Sequence, residues 1–509
     1  MKISCKIEEL RNKAYDILNQ TKRKQLGQFY TPYTTSLFMA SLFNNISGNV
    51  KLLDPGCGIG SLTGAFIEET FSRKQYKSLN CELIDIESEI NSLVKEFTLS
   101  ISDLDGVSAT YEQADFIQGQ PSLFQEDSLF MNSSYTHCIM NPPYKKIPAS
   151  GKHRKLLREQ GIETGNLYSA FVSLALKRLT KGGELVAIIP RSFCNGPYFK
   201  PFREQILAES AIKHIHIFES RSKTFKEDSV LQENIIIHLI KGEKQGAVTL
   251  SSSISGDFQR TKGNLFSATG FKSRTVQFES VVKPGDEDKF IYLPIDKSDE
   301  IAIEQLSCFS SSLEEMNISV STGPIVGFRS RDFLLDQCNE SAVPLFYPAH
   351  FSNNKVIWPS KEKPNSLSKN YPKKNDFWLN KGAYLVVNRF SAKEEKRRIS
   401  AHIFSEFTDS EFVAFENKLN VFHIGKKGFS LAIVKGLYIY LNSTLVDNFF
   451  RQFSGHTQVN ATDLRNMHYP SLELLEKIGS SFNNVPQTQI EVDTILEAFI
   501  PNHYKKETA

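Results

Sequence analysis

The chain has no run of 18 apolar residues, so no membrane-spanning helix and no membrane partner are expected. Its first segment, MKISCKIEELRNKAYDILNQ, lacks the continuous apolar core of a secretory signal. It instead sets Ile7, Leu10, Ala14, Ile17 and Leu18 on one face of a helix. An excess of either charge is also lacking: 60 Lys and Arg against 57 Asp and Glu leave a formal charge of +3. Contact with nucleic acid must then come from local patches, not from a global field. Cysteine is sparse. The seven residues Cys5, Cys57, Cys81, Cys138, Cys194, Cys308 and Cys338 are odd in number and widely spaced, which excludes a disulfide framework and the spacing of a zinc site. No metal is expected, and a reducing cytoplasm fits. No internal repeat is present.

What is there is ample: 509 residues with 40% hydrophobic content, enough for two or three packed domains. The first half alternates apolar runs with helical patterns. Strands are predicted over Lys51–Asp54, Cys81–Ile86, His137–Met140, Glu184–Ile189, Ile215–Phe218 and Asn234–Ile240, with helices over Ser61–Arg73 and Leu167–Leu179. That alternation predicts an α/β, mainly parallel, doubly wound sheet. Beyond about residue 245 the pattern changes, and the breaker Pro284-Gly285-Asp286 marks an expected boundary at residue 285. The second half, 286–509, has short strands such as Ala383–Val387 and Leu419–His423 and one apolar helix, Leu431–Phe450, which reads as a second, α+β domain.

The segment Asp54-Pro55-Gly56-Cys57-Gly58-Ile59-Gly60 joins a strand to a helix. Gly56, Gly58 and Gly60 allow a sharp turn and close approach of a ligand. A dinucleotide site favours G-x-G-x-x-G over a pyrophosphate. Here the spacing is G-x-G-x-G with Asp54 two residues upstream, which suits the cationic S-adenosylmethionine better than a diphosphate; the competing reading is an ordinary strand–turn–helix corner. Asp85, at the end of the second strand, can accept both ribose hydroxyls, with Glu82 as the competitor. Asp115 can accept from an adenine amine and Phe116 can cover its ring; a loop acid and a core aromatic are the alternative.

Asn141-Pro142-Pro143-Tyr144 closes the strand His137–Met140. The prolines lock φ and remove two donors. The Asn141 side-chain oxygen and the Pro142 carbonyl can each accept one N–H of a planar amine, localising its lone pair for attack on a methyl group. Tyr144 offers a face for an extruded base. No strong general base is required, because the amine can lose its proton after transfer.

Together these residues resemble the gamma class of amino-methyltransferases of restriction–modification systems, over about residues 20–245. Gly27-Gln28-Phe29-Tyr30-Thr31-Pro32 resembles the motif that closes over the methionine end of the cofactor, which places Tyr30 and Thr31 there. Asp54 to Gly60 resembles the glycine loop, and Asn141 to Tyr144 the catalytic motif. Asp115-Phe116, Asn166-Leu167-Tyr168 and Lys181-Gly182-Gly183 fit the intermediate motifs, and Phe225 stands where the family keeps an aromatic against the flipped base. Ser454 to Asn460 and the overall length are similar to the PstI/BsuBI-type subgroup. The resemblance implies a Rossmann-like catalytic domain at 1–285, a DNA target-recognition domain at 286–509, and transfer of methyl from S-adenosylmethionine to adenine N6 at a short specific site in double-stranded DNA. It further implies a bacterial or archaeal cytoplasmic enzyme with a cognate restriction endonuclease as a functional partner.

The target base must leave the duplex, so the enzyme must grip the flanking phosphates. Lys145, Lys146, Lys152, Arg154, Lys155 and Arg158 follow the tetrapeptide as a basic loop, which reads either as a phosphate contact or as a solvated loop. A second basic cluster is Lys393, Lys396, Arg397 and Arg398. Asn388 and Arg389 end a strand and suit readout of adenine and guanine. Arg329, Arg331, His456 and Gln458 are further candidates. Other activities share the tetrapeptide's chemistry: methylation of cytosine N4, of RNA adenine, or of a protein glutamine. A DNA-recognition protein with an inactive methyltransferase fold is the non-enzymatic alternative.

Overall fold

The computed structural model describes residues 3–18, 30–119, 134–219, 233–261, 265–352, 355–361, 363–391, 395–405, 409–454 and 458–502. The chain forms two compact units, Met1–Ile295 and Asp296–Ala509. The division falls beyond the expected residue 285, because the segment after the Pro284-Gly285 turn stays in the first unit. There the Ile291 amide donates to the Cys194 carbonyl (2.9 Å) and the Tyr292 amide to that of Val281 (2.7 Å), while Ile291 and Leu293 join its core.

The first unit is built on nine strands: β1 (Gly48–Pro55), β2 (Tyr76–Asp85), β3 (Val107–Gln113), β4 (Tyr135–Met140), β5 (Leu179–Pro190), β6 (Ser210–Phe218), β7 (Asn234–Lys241), β8 (Val248–Ser253) and, after a two-stranded hairpin of β9 (Gln259–Arg260) and β10 (Phe266–Ser267), β11 (Lys272–Val276). Their order is β11-β8-β6-β7-β5-β4-β1-β2-β3. Strands β1 to β5 pair in parallel. β7 enters antiparallel between β5 and β6, so the sheet is doubly wound but mixed.

Successive side chains of a strand face opposite ways, and both faces here are covered. Leu53 of β1, Ile84 of β2 and Cys138 and Met140 of β4 enter one core with the helix Leu167–Arg178. Leu52, Leu83 and Ile139 enter the other with the helices Ile3–Ile17, Tyr33–Ser41, Ser61–Arg73 and Asn91–Ser102. Continuous apolar strands are what two-sided burial requires. In the first helix Ile7, Leu10 and Ala14 are buried as expected, as is Leu18 just past its end, but Ile17 is exposed.

The stretch after residue 245, where the sequence pattern changes, extends this sheet through β8 and β11. Its serines are buried because they have partners: the His216 ring lies 2.8 Å from Ser251 Oγ through Nδ1 and 3.0 Å from Ser253 Oγ through Nε2.

The second unit holds an antiparallel four-stranded sheet in the order Ser319–Thr322, Leu419–His423, Tyr384–Asn388, Ala401–Phe404, a mixed five-stranded sheet and helices toward the C-terminus. The single apolar helix expected over Leu431–Phe450 is two, Leu431–Asn442 and Thr444–Phe453. Ser443 breaks it: its backbone is extended (ψ 150°) and its side chain caps the second helix by accepting from the Val446 amide.

Candidate active site

In an open parallel sheet, ligands bind beyond the carboxyl ends of the strands where the strand order reverses. Here that point lies between β1 and β4, which are neighbours although β2 and β3 intervene in sequence. The glycine loop leaves β1 and the tetrapeptide leaves β4, so the topology alone sets them side by side. Between them is a cavity of ≈ 250 Å³ lined by residues of both, together with Tyr30, Thr31, Asp85, Asp115 and Phe116.

The loop is rigid. Gly56, Gly58 and Gly60 all have positive φ (76°, 53° and 83°). The amides of Gly56 and Cys57 donate to the Ile84 carbonyl at 2.7 and 3.0 Å, and the Gly58 amide donates to Asp85 Oδ2 at 2.8 Å. A Cβ at Gly58 would stand 3.1 Å from the Tyr30 ring, so the aromatic lies directly against the turn. Asp85 takes the Glu87 amide on its other oxygen (2.9 Å), and burial pushes its carboxyl up. Glu82, the competitor at this strand, pairs with Lys51 (3.1 Å) and Tyr135 and does not line the cavity.

Asp54 and Gly60 are placed off the cavity lining. Asp54 is fully buried beneath the loop, where Thr63 donates to Oδ2 at 2.7 Å. Burial pushes its carboxyl up to about 7. Gly60 is demanded by packing, since a Cβ there would meet the Phe97 ring at 2.3 Å.

Asp115 and Phe116 follow β3. Burial raises the Asp115 carboxyl, but hydrogen bonds from His153 and Gln118 outweigh it and hold the group below the usual carboxylate range. Phe116 packs on Phe171 at 5.0 Å between centroids. At the tetrapeptide, Asn141 Nδ2 donates to Thr31 Oγ1 (3.0 Å) and its Oδ1 accepts from the Tyr144 hydroxyl (2.8 Å). That hydroxyl also reaches the Ile188 carbonyl (3.1 Å). Tyr144 is half-buried, with its hydroxyl turned inward onto Asn141. Pro142 is buried and Pro143 lines the cavity. Phe225, Gly27 to Phe29, Lys393 and His456 lie outside the described residues.

Other residues line the cavity without having been expected there: Ile86, Lys145, His153, Leu167 and Phe171. Leu167 and Phe171 are four apart on one helix, a spacing the sequence displays. His153 had no such signal. The donor set suits S-adenosylmethionine: two carboxylates face the cavity, and Ser61 Oγ, buried and without a hydrogen-bond partner among the described residues, lines it as well.

The basic segment after the tetrapeptide is not a loop throughout: Lys152–Glu159 is a helix. Lys145, Lys146 and Lys155 are exposed, whereas Arg154 and Arg158 both pair with Glu163. In the second unit Arg398 is fully buried, where its guanidinium donates to the Ser454 carbonyl at 3.1 Å. Arg397 donates to the Asn442 carbonyl at 2.8 Å. Two other segments meet the turn Glu416 to Lys418, and Gln458 joins through one of them: the Asn417 amide donates to the Ile325 carbonyl (2.8 Å), just before exposed Arg329 and Arg331. Arg389 binds the Asn417 carbonyl (3.1 Å) and Gln458 Oε1 (3.2 Å). Asn388 lies 3.4 Å from His402.

Three comparisons bear on this geometry. The family described as Eco57I restriction-modification methylase matches residues 15–225. The type II methyltransferase M.BsuBI of Bacillus subtilis is 45% identical over 94% of this chain and 95% of its own. M.PstI of Providencia stuartii is 41% identical over 95% of each. Among solved structures, the type IIL restriction-modification enzyme MmeI in complex with DNA aligns with 99% of this chain and 76% of its own at a TM-score of 0.53 and 10% identity, a likeness of fold alone.

Proposed function

Since the chain belongs to the type II methyltransferases of restriction–modification systems, with S-adenosylmethionine as methyl donor, we propose that its substrate is the N6 amine of an adenine turned out of double-stranded DNA. The observation that carries this reading is the position of Asn141. Its amide lines the cavity, held between Thr31 and Tyr144, just past the end of the strand that neighbours the one bearing the glycine loop.

The adenine amine is a weak nucleophile because its lone pair is delocalised into the ring. An acceptor at Asn141 Oδ1, with the Pro142 carbonyl beside it, draws on the two N–H bonds and turns that lone pair toward the methyl group. The Tyr144 ring supplies a surface for the extruded base, and its hydroxyl fixes the amide that does the accepting. Tyr30, Thr31, Gly56, Gly58, Asp85, Asp115 and Phe116 would hold the cofactor, which supplies an electrophilic methyl group when bound. Lys145, Lys146 and Lys155, all exposed, would meet phosphates. The patch around Glu416 to Lys418 is assigned to sequence readout, through Arg329, Arg331, Asn388, Arg389 and Gln458. A cognate endonuclease is the expected functional partner, in a bacterial cytoplasm.

Incubation with tritiated cofactor and duplex DNA, followed by nucleoside analysis, tests the reading. Label in N6-methyladenine is expected. Label in N4-methylcytosine, label with RNA alone, or specific DNA binding without label would each replace it.

A further inference from the structure

A carboxylate offers about four acceptor positions, and those of Asp115 are all taken. Oδ1 accepts from the amides of Ile117 (2.9 Å) and Gln118 (3.2 Å). Oδ2 accepts from the Gln118 side chain (2.8 Å) and meets His153 Nε2 at 2.7 Å. At that separation a bare imidazole nitrogen would set lone pair against lone pair, so Nε2 carries the hydrogen and donates. Gln118 Nε2, 3.2 Å from the same ring nitrogen, shares the acceptor with it.

Three of the four donors belong to the turn that holds Asp115 itself, and the Gln118 side chain is further fixed by Lys152 Nζ on its Oε1 (2.7 Å). The fourth, His153, comes from a separate helix, Lys152–Glu159. It borders the cofactor cavity, with its side chain 29% exposed. His153 is needed neither to ionise Asp115 at neutral pH, since the ordinary carboxylate range lies far below, nor to aim it, since both oxygens are already held from the turn.

We propose that His153 occupies the place of the adenine amine of the cofactor and is a specificity-determining residue of that site. The inference rests on Asp115 being the acceptor for that amine. An N–H donor entering there replaces one N–H donor with another, so Asp115 stays satisfied. A purine bearing a carbonyl at the same position has no hydrogen to offer, cannot displace His153 and is refused. The exchange requires no proton transfer.

Equilibrium binding of S-adenosylhomocysteine to the full chain, measured by calorimetry, tests this without turnover. His153→Ala frees the acceptor and is expected to tighten binding by about tenfold, the scale of one hydrogen bond to a charged group. His153→Gln keeps an N–H donor at similar reach and should restore affinity near wild type. His153→Ala binding equal to or weaker than wild type overturns the inference. Two controls report on Asp115 itself: Asp115→Asn should weaken binding, and S-inosylhomocysteine should bind wild type more weakly than the adenosyl compound. If neither control moves, Asp115 is not the acceptor and the inference falls with that reading; if both move while His153→Ala is unchanged, only the exchange is refuted.

Discussion

Asn141 is held at both ends of its amide, by Thr31 and by Tyr144. Asn141→Ala therefore removes the acceptor without emptying the cavity. Methyl transfer should fall by at least about 10²-fold, the loss that follows removal of one preorganised polar group. S-adenosylhomocysteine affinity should change by no more than about fivefold, the worth of one neutral hydrogen bond. Near-wild-type turnover would remove Asn141 from the chemistry. Asp54 carries a prediction of a different kind. Its folded carboxyl lies at about 7, above the ordinary 3.8, so the folded chain holds that proton more tightly than the unfolded chain does. The stability this contributes is fully present at low pH and is lost as pH rises from about 4 to 7. Asp54→Asn should flatten that decline in chemical denaturation midpoints, and an unchanged pH profile would show that Asp54 is ionised when folded. The contrast between Asp54 and Asp85 also marks how far single residues could be read. Both are acids at strand ends before or beside the glycine turn, and the sequence assigns both to the cofactor. Only the fold shows that one side chain turns toward the cavity and the other toward Thr63 beneath it. His153 was illegible for the opposite reason, since its partner Asp115 lies 38 residues away.

At the scale of elements, patterning is most informative where one rule decides. The helix Ser61–Arg73 begins and ends where the sequence predicts, because a glycine turn opens it and its apolar face is continuous. The long C-terminal helix was misread because hydrophobicity alone does not reveal a serine cap at residue 443. The strand β8 carries no strand signal in the sequence, because burial by hydrogen bonding to His214 and His216 leaves no apolar period. Close backbone approach is equally hidden. The helices Leu431–Asn442 and Leu472–Ser480 meet at Gly436 and Gly479, where added Cβ atoms would stand 2.0 Å from the Leu475 carbonyl oxygen and 1.8 Å from that of Ala432. Backbone cannot give way as a flexible side chain does. Gly479→Ala should therefore destabilise the second unit by about 1–3 kcal/mol, the range for overpacking, against a helix-propensity gain of up to about 1 kcal/mol. A denaturation midpoint equal to or above wild type would show that the helices separate without cost.

For the molecule as a whole, a formal charge of +3 gives no strong field to draw DNA. Its binding should then depend on few, local phosphate contacts, and salt counts them. Log K falls with log salt by about 0.9 for each phosphate neutralised. The basic run after the tetrapeptide looks uniform in sequence, but the structure divides it: Lys145 and Lys146 are exposed, while Arg154 is committed to Glu163. Replacing Lys145 and Lys146 together by alanine should lower affinity for every duplex alike and flatten the salt slope by about 2. Arg154→Ala should leave the slope unchanged, because a guanidinium held by Glu163 neutralises no phosphate and so releases no counter-ion from the DNA. Equal slopes for the double variant and wild type would take the tetrapeptide's trailing segment out of the interface. A flattened slope for Arg154→Ala would mean that its pairing with Glu163 opens on DNA. The slope is the discriminating measurement, since a loss of affinity at one salt concentration could come from either unit of the chain.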